Sequence, residues 1–137
     1  MELHQGSALD QGFFDGSFEP NERTFFNHFL KKGDSFLDIG ANSGFYSLLA
    51  SSLVGSEGEI FAFEPSPEPF EYLEKNIALN AVSNIKPFKL AASDKEETRS
   101  IKLFDGGFDA WNSLGSPQEK STYKEVSIET VSLDSFL

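Results

Sequence analysis

Phe36-Leu37-Asp38-Ile39-Gly40-Ala41-Asn42-Ser43-Gly44 is the stretch that decides the fold. Ser35 to Ile39 reads as a buried strand, and Gly40 to Gly44 as a turn opening a helix with Phe45, Leu48, Leu49 and Leu53 on one face. Strand, glycine turn and helix make the first unit of an α/β chain. Gly55 and Gly58, with polar residues between them, mark a loop, and Glu59 to Phe63 alternates into a second strand that Pro65 ends. Ser66-Pro67-Glu68 has the order of an N-cap, a first-turn proline and an early acid, and Phe70, Leu73 and Ile77 follow at helical spacing as far as Asn80. Ile85 to Ala92 makes a third strand. Residues 35 to 92 thus read β-α-β-α-β, the pattern of a parallel sheet with covering helices and right-handed crossovers.

Upstream, Phe25, Phe26, Phe29 and Leu30 predict a short amphipathic helix from Asn21, with Glu22 in its first turn, Lys31 and Lys32 in its last and Gly33 beyond. The first twenty residues show no clean period and read as an irregular arm. Downstream, Thr98 to Phe104 and Lys124 to Val131 read as strands of an inserted hairpin, joined by a loop holding Gly106, Gly107, Gly115 and Pro117. The expectation is one domain over residues 1–137: an arm at 1–20, a core at 21–94, and inserted strands and loop at 95–137.

Length and composition fit that division. A chain of 137 residues is the size of a single core. No run approaches a membrane span, and Met1 to Gly16 carries no basic segment leading into an apolar one, so a soluble, cytoplasmic protein is expected. The absence of cysteine removes disulfides, thiolate metal sites and cysteine nucleophiles. Twenty-two acidic against eleven basic side chains, net −11, oppose a phosphate backbone, so nucleic acid is not an expected partner.

The chemistry concentrates at the carboxyl ends of the first two strands, where open α/β sheets bind ligands. A glycine turn lets a ligand touch the backbone, and the N–H groups of the helix beginning near Gly44 favour a carboxylate or phosphate. Asp38 could accept from a ligand ammonium, or could merely cap the turn. Glu64 stands 24 residues after Gly40, at the spacing where an acid can fork onto both hydroxyls of a ribose; alone, it could serve only the dipole of the next helix. Both together point to a nucleoside. A dinucleotide turn would need glycine where the chain has Asn42 and Phe45, and no Gly-x-x-x-x-Gly-Lys loop occurs.

The pattern resembles the first motif of class I S-adenosylmethionine-dependent methyltransferases. More narrowly, Asp38-Ile39-Gly40-Ala41-Asn42-Ser43-Gly44-Phe45-Tyr46, Ala62-Phe63-Glu64-Pro65 and Leu73-Glu74-Lys75-Asn76-Ile77-Ala78-Leu79-Asn80 resemble the FkbM methyltransferase family. The resemblance runs from Gly16-Ser17-Phe18-Glu19-Pro20 to the closing Thr130-Val131-Ser132-Leu133-Asp134. It implies a Rossmann-like three-layer α/β fold, a mostly parallel sheet with helices on both faces. It also implies S-adenosylmethionine as cofactor, with O-methylation of a small molecule or sugar as the activity. Asp38, Gly40, Asn42 and Gly44 would hold the methionine part and Glu64 the ribose, with Ala41 and Pro65 in the same contact set; Ser93 and Asp94 would lie near the adenine.

Family members continue beyond a segment like Ser132-Leu133-Asp134 into further strands, so the chain is expected to be the amino-terminal part of such a domain, truncated before its carboxyl-terminal strands. The first strand would then keep an open edge that a second copy or a partner chain could cover, and a non-catalytic cofactor-binding or interaction module is the alternative. No catalytic base stands out: His28 lies within the first helix, and His4 in the arm. Neither histidine pairs with another and a carboxylate at ligand spacing, so no metal site is expected. Asp94, Glu96 and Glu97 read as a solvated turn. Phe13, Phe14 and Phe18 could form a lid, and Trp111 and Asn112 could face the acceptor.

Overall fold

A computed structural model describes residues 18–104 and 123–136. Helix α1 (Pro20–Phe29) leads into strand β1 (Ser35–Ile39), helix α2 (Phe45–Val54), strand β2 (Glu59–Phe63), helix α3 (Pro67–Leu79) and strand β3 (Ile85–Phe88). Then come β4 (Leu90–Ser93), β5 (Thr98–Phe104), β6 (Tyr123–Ser132) and the short helix α4 (Leu133–Phe136). The first three strands form a parallel sheet in the order β1-β2-β3, with Ser35 opposite Glu59 and Ile60 opposite Ile85. The others form a second sheet in the order β4-β6-β5, β4 parallel and β5 antiparallel to β6.

Strand alternation sends Ile60, Ala62 and Ile85 to one face, where they meet Ala50 and Val54 of α2 and Leu73 of α3 in the core. Two right-handed crossovers stepping the same way put both helices on that face. Helix α1 joins them through Phe26, whose ring meets Phe36 at 5.3 Å and stacks on Tyr46 at 5.0 Å. The opposite face carries Phe63 and Phe88, covered by Phe136 of α4 with ring centroids 5.1 and 4.8 Å away. Helices therefore lie on both faces of the parallel sheet, as the resemblance implies.

Three expectations are corrected. The third strand breaks at Lys89: the ladder with β2 ends at Phe63 and Phe88, where the Glu64 N–H makes the last bond to the Phe88 carbonyl at 3.0 Å, and residues 90–93 pair with β6 instead. The α2 stripe facing the core is Ser47, Ala50, Ser51 and Val54, while Phe45, Leu48, Leu49 and Leu53 share the other side of the helix half-buried, with Leu48 packed against the core's edge. Small residues let the helix lie close on the sheet. Helix α1 starts at Pro20 and stops at Phe29, because Leu30 turns extended and Asp34 accepts the Lys31 N–H at 2.8 Å. Phe25 and Phe29 of α1 stack on each other at 5.2 Å but are 59% and 67% exposed.

Candidate cofactor site

The turn after β1 is shaped by positive φ angles at Gly40 (80°), Asn42 (50°) and Gly44 (91°). Asn42 sustains this left-handed conformation because its own Oδ1 accepts the Ser43 N–H at 2.7 Å, a local bond open to asparagine. Gly44 is obligatory on two counts: its φ, and the 2.7 Å that would separate an added Cβ from Leu73 Cδ1. The turn is tied to β2 by the Gly40 and Ala41 N–H groups, which donate to the Phe63 carbonyl at 2.8 and 2.9 Å.

Asp38 and Glu64 end β1 and β2 nearly buried, at 8% and 6% exposure. Ser47 Oγ donates to Asp38 Oδ2 at 2.6 Å, and the Ser47 backbone N–H adds a second bond, so Asp38 caps the first turn of α2. Burial pushes the Asp38 carboxyl above the usual aspartate range, and the two Ser47 bonds offset part of that rise. Glu64 Oε2 accepts the Asn42 N–H at 2.9 Å and Oε1 accepts the Ser66 N–H at 2.8 Å, so the acid at the end of β2 holds the turn after β1. A carboxylate has about four acceptor positions, so the two Ser47 bonds leave Asp38 capacity for a ligand's donor. Above the turn, a Cβ on Gly40 would meet nothing within 4 Å among the described residues, which leaves the backbone open to a ligand on that side of them. Phe18 packs edge-on against Phe45 at 5.1 Å, and Tyr46 donates its hydroxyl to Glu19, placing residues 18 and 19 beside the first turn of α2.

Asp38, Gly40, Ala41, Asn42, Gly44 and Glu64 are thus joined in one bonded unit, with Pro65 half-buried next to it. Ser93 ends β4 in the second sheet and its hydroxyl donates to the Asp94 carboxylate at 3.2 Å, while Asp94 forms an ion pair with Arg99 at 3.9 Å. His28 is exposed with Nδ1 2.7 Å from the Thr24 carbonyl. His4, Phe13, Phe14, Trp111 and Asn112 lie outside the described residues. Sequence reading missed Ser47, Ser66 and Asn76 as parts of the unit. The i, i+3, i+4, i+7 run of small residues at 47, 50, 51 and 54 was the available signal for the first.

A parallel sheet with helices on both faces and two buried acids beside a glycine turn at the carboxyl ends of its strands is the arrangement in which open α/β sheets hold ligands. The methyltransferase FkbM domain matches residues 38–137, and the chain belongs to that family of S-adenosylmethionine-dependent methyltransferases. It is 32% identical over 89 residues to a protein-L-isoaspartate O-methyltransferase of Methanococcus aeolicus, covering 62% of this chain and 41% of that protein. It is also 32% identical over 100 residues to the methyltransferase sdnD of Sordaria araneosa, covering 72% of this chain and 38% of that protein. The chain thus spans well under half the length of these relatives. A solved S-adenosylmethionine-dependent O-methyltransferase of Thermotoga maritima superimposes with a TM-score of 0.48 at 12% identity, over 90% of this chain and 71% of that one. No helix among the described residues is long and apolar enough to cross a membrane.

Proposed function

We propose that this chain binds S-adenosylmethionine at the turn between β1 and α2 and serves methyl transfer to an oxygen of a small molecule or sugar. The observation that carries the reading is the pair of nearly buried carboxylates, Asp38 and Glu64, hydrogen-bonded into one open glycine turn. Burial of the Asp38 carboxylate costs stability, and a ligand with a matching donor offsets that cost.

Each part has a task. Asp38 accepts from the ligand ammonium, while the first-turn N–H groups of α2 favour its carboxylate. Glu64 accepts from the ribose hydroxyls, and the bare Gly40 backbone admits the chain between them. The bound cofactor supplies an electrophilic methyl on a sulfonium, and the protein's contribution is to hold the acceptor oxygen in line with it. The choice of oxygen follows the family resemblance, and the isoaspartate relative is by name an O-methyltransferase. Ser93 and Asp94 remain the adenine-side candidates of this reading.

A thermal unfolding scan with S-adenosylmethionine or its demethylated product tests it. At about 100 times the dissociation constant a native-state ligand adds about 2.7 kcal/mol, several degrees in a domain of this size. A cooperative transition that neither ligand moves overturns the reading. One observation favours a second: among the described residues β1 pairs with β2 alone, and Ile39 is 54% exposed beside that edge. An interaction module pairing through β1 with a second chain would show by light scattering as a dimer that substitution of Ile39 by lysine dissociates.

A further inference from the structure

We propose that Asn76 is a positioning residue for the cofactor turn, acting from α3 on a loop 33 residues earlier; the proposal rests on the cofactor reading above. Asn76 is fully buried, and its Nδ2 donates to the Ser43 carbonyl at 2.8 Å. Asparagine is a poor choice for a helix interior, and a buried amide is costly unless bonded. Its place there is explained by what it holds.

From Ser43 the bonds continue: the Ser43 N–H donates to Asn42 Oδ1, and the Asn42 N–H donates to Glu64 Oε2. A single chain of hydrogen bonds therefore runs from α3 through the left-handed Asn42 to the carboxylate at the end of β2. One helical turn before Asn76, Leu73 fills the space under Gly44. Helix α3 thus grips the turn twice, by the Leu73 side chain packed against Gly44 and by an amide that fixes the Ser43 carbonyl. The grip falls between the methionine side of the site, formed by the turn, and the ribose side, formed by Glu64. A cofactor that uses both sides depends on the grip, whereas a bare nucleoside leans on Glu64.

That asymmetry gives the test. Titration calorimetry on the full 137-residue chain compares the demethylated cofactor product with adenosine, in the natural protein and in Asn76→Ala. The expected result is a loss of about tenfold or more for the product, the effect of one unsatisfied buried partner, with adenosine changing less than about threefold. Val82→Ala, a core change away from the turn chosen to lower stability, leaves the ratio of the two affinities where it was. Should Asn76→Ala fail to fold, Asn76→Ser, which keeps a hydroxyl donor of shorter reach, carries the same comparison. Parallel losses for both ligands, or no loss for either, overturn the positioning role while leaving the cofactor site standing. A natural chain that binds neither ligand overturns the cofactor reading and the positioning role together.

Discussion

The two sheets of this molecule handle polar groups in opposite ways. In the parallel sheet, Asp38, Ser47, Glu64, Ser66 and Asn76 are buried with their strands and helices, and their hydrogen bonds converge on one turn. In the second sheet β6 alternates from Ser127 to Thr130, with Ile128 and Thr130 buried while Ser127 and Glu129 face water, as a strand with one wet side does. The single buried polar side chain described there, Thr130, donates to the Lys95 carbonyl at 2.7 Å and pins the turn between β4 and β5. Buried polar wiring is a poor way to gain stability and a good way to fix geometry. Its concentration around β1 and β2 is what the proposed cofactor site requires, and it is the feature that sets the two sheets apart.

The largest test of that contrast is Gly44→Ala. An added methyl must meet Leu73 Cδ1 at 2.7 Å while alanine is forced to a φ of 91°, and strain plus overpacking should cost about 3 kcal/mol by urea unfolding. A loss under about 0.5 kcal/mol would show that the turn is not held as described. Next comes Ile128→Ala in the second sheet, where a side chain 5% exposed is cut back. Here about 2 kcal/mol of stability should go, while affinity for the demethylated cofactor product stays within about twofold. A large loss of affinity would break the contrast and make the two sheets one functional unit.

Much of this was legible in the chain. The β-α-β-α-β order follows from apolar runs bounded by Gly40, Gly55, Pro65 and Asn80, and Asp38 and Glu64 stand at strand ends because such runs stop where polar residues begin. The break at Lys89 was not legible, since an apolar run keeps its period whether its neighbour is β2 or β6. The rotation of α2 escaped because leucines outweigh serines on any hydrophobic count, while the sheet selects for small residues at close approach. Asn76 was visible as a residue but not as a contact, because a bond spanning 33 positions leaves no local trace. Phe25 and Phe29 shared the period of Phe26, but only Phe26 found aromatic partners on β1 and α2.

Within the parallel sheet, Glu64→Gln sharpens the contrast at smaller scale. The amide keeps one acceptor oxygen but puts a donor against either the Asn42 or the Ser66 N–H, which loosens the turn and removes one ribose acceptor. Affinity for the cofactor product should fall by about 1–2 kcal/mol, read by calorimetry, and an unchanged affinity would remove Glu64 from the site.

The finest test is the pH response of Asp38. Because burial raises its pKa in the folded state, the carboxyl favours folding at low pH, and that contribution is lost as pH rises from the ordinary aspartate value through the raised one. The free protein should therefore lose some thermal stability across that window on going up in pH. Ligand binding runs the other way, since an ammonium requires the ionised carboxylate, so affinity should weaken as pH falls through the same range. Asp38→Asn removes this group's share of the stability slope and leaves a weaker but flat binding profile, while Ser47→Ala removes the side-chain bond, one of the two that offset burial, and moves both Asp38 slopes to higher pH. A binding profile that keeps its slope in Asp38→Asn would place the titrating group elsewhere and leave Asp38 as a cap on α2 alone.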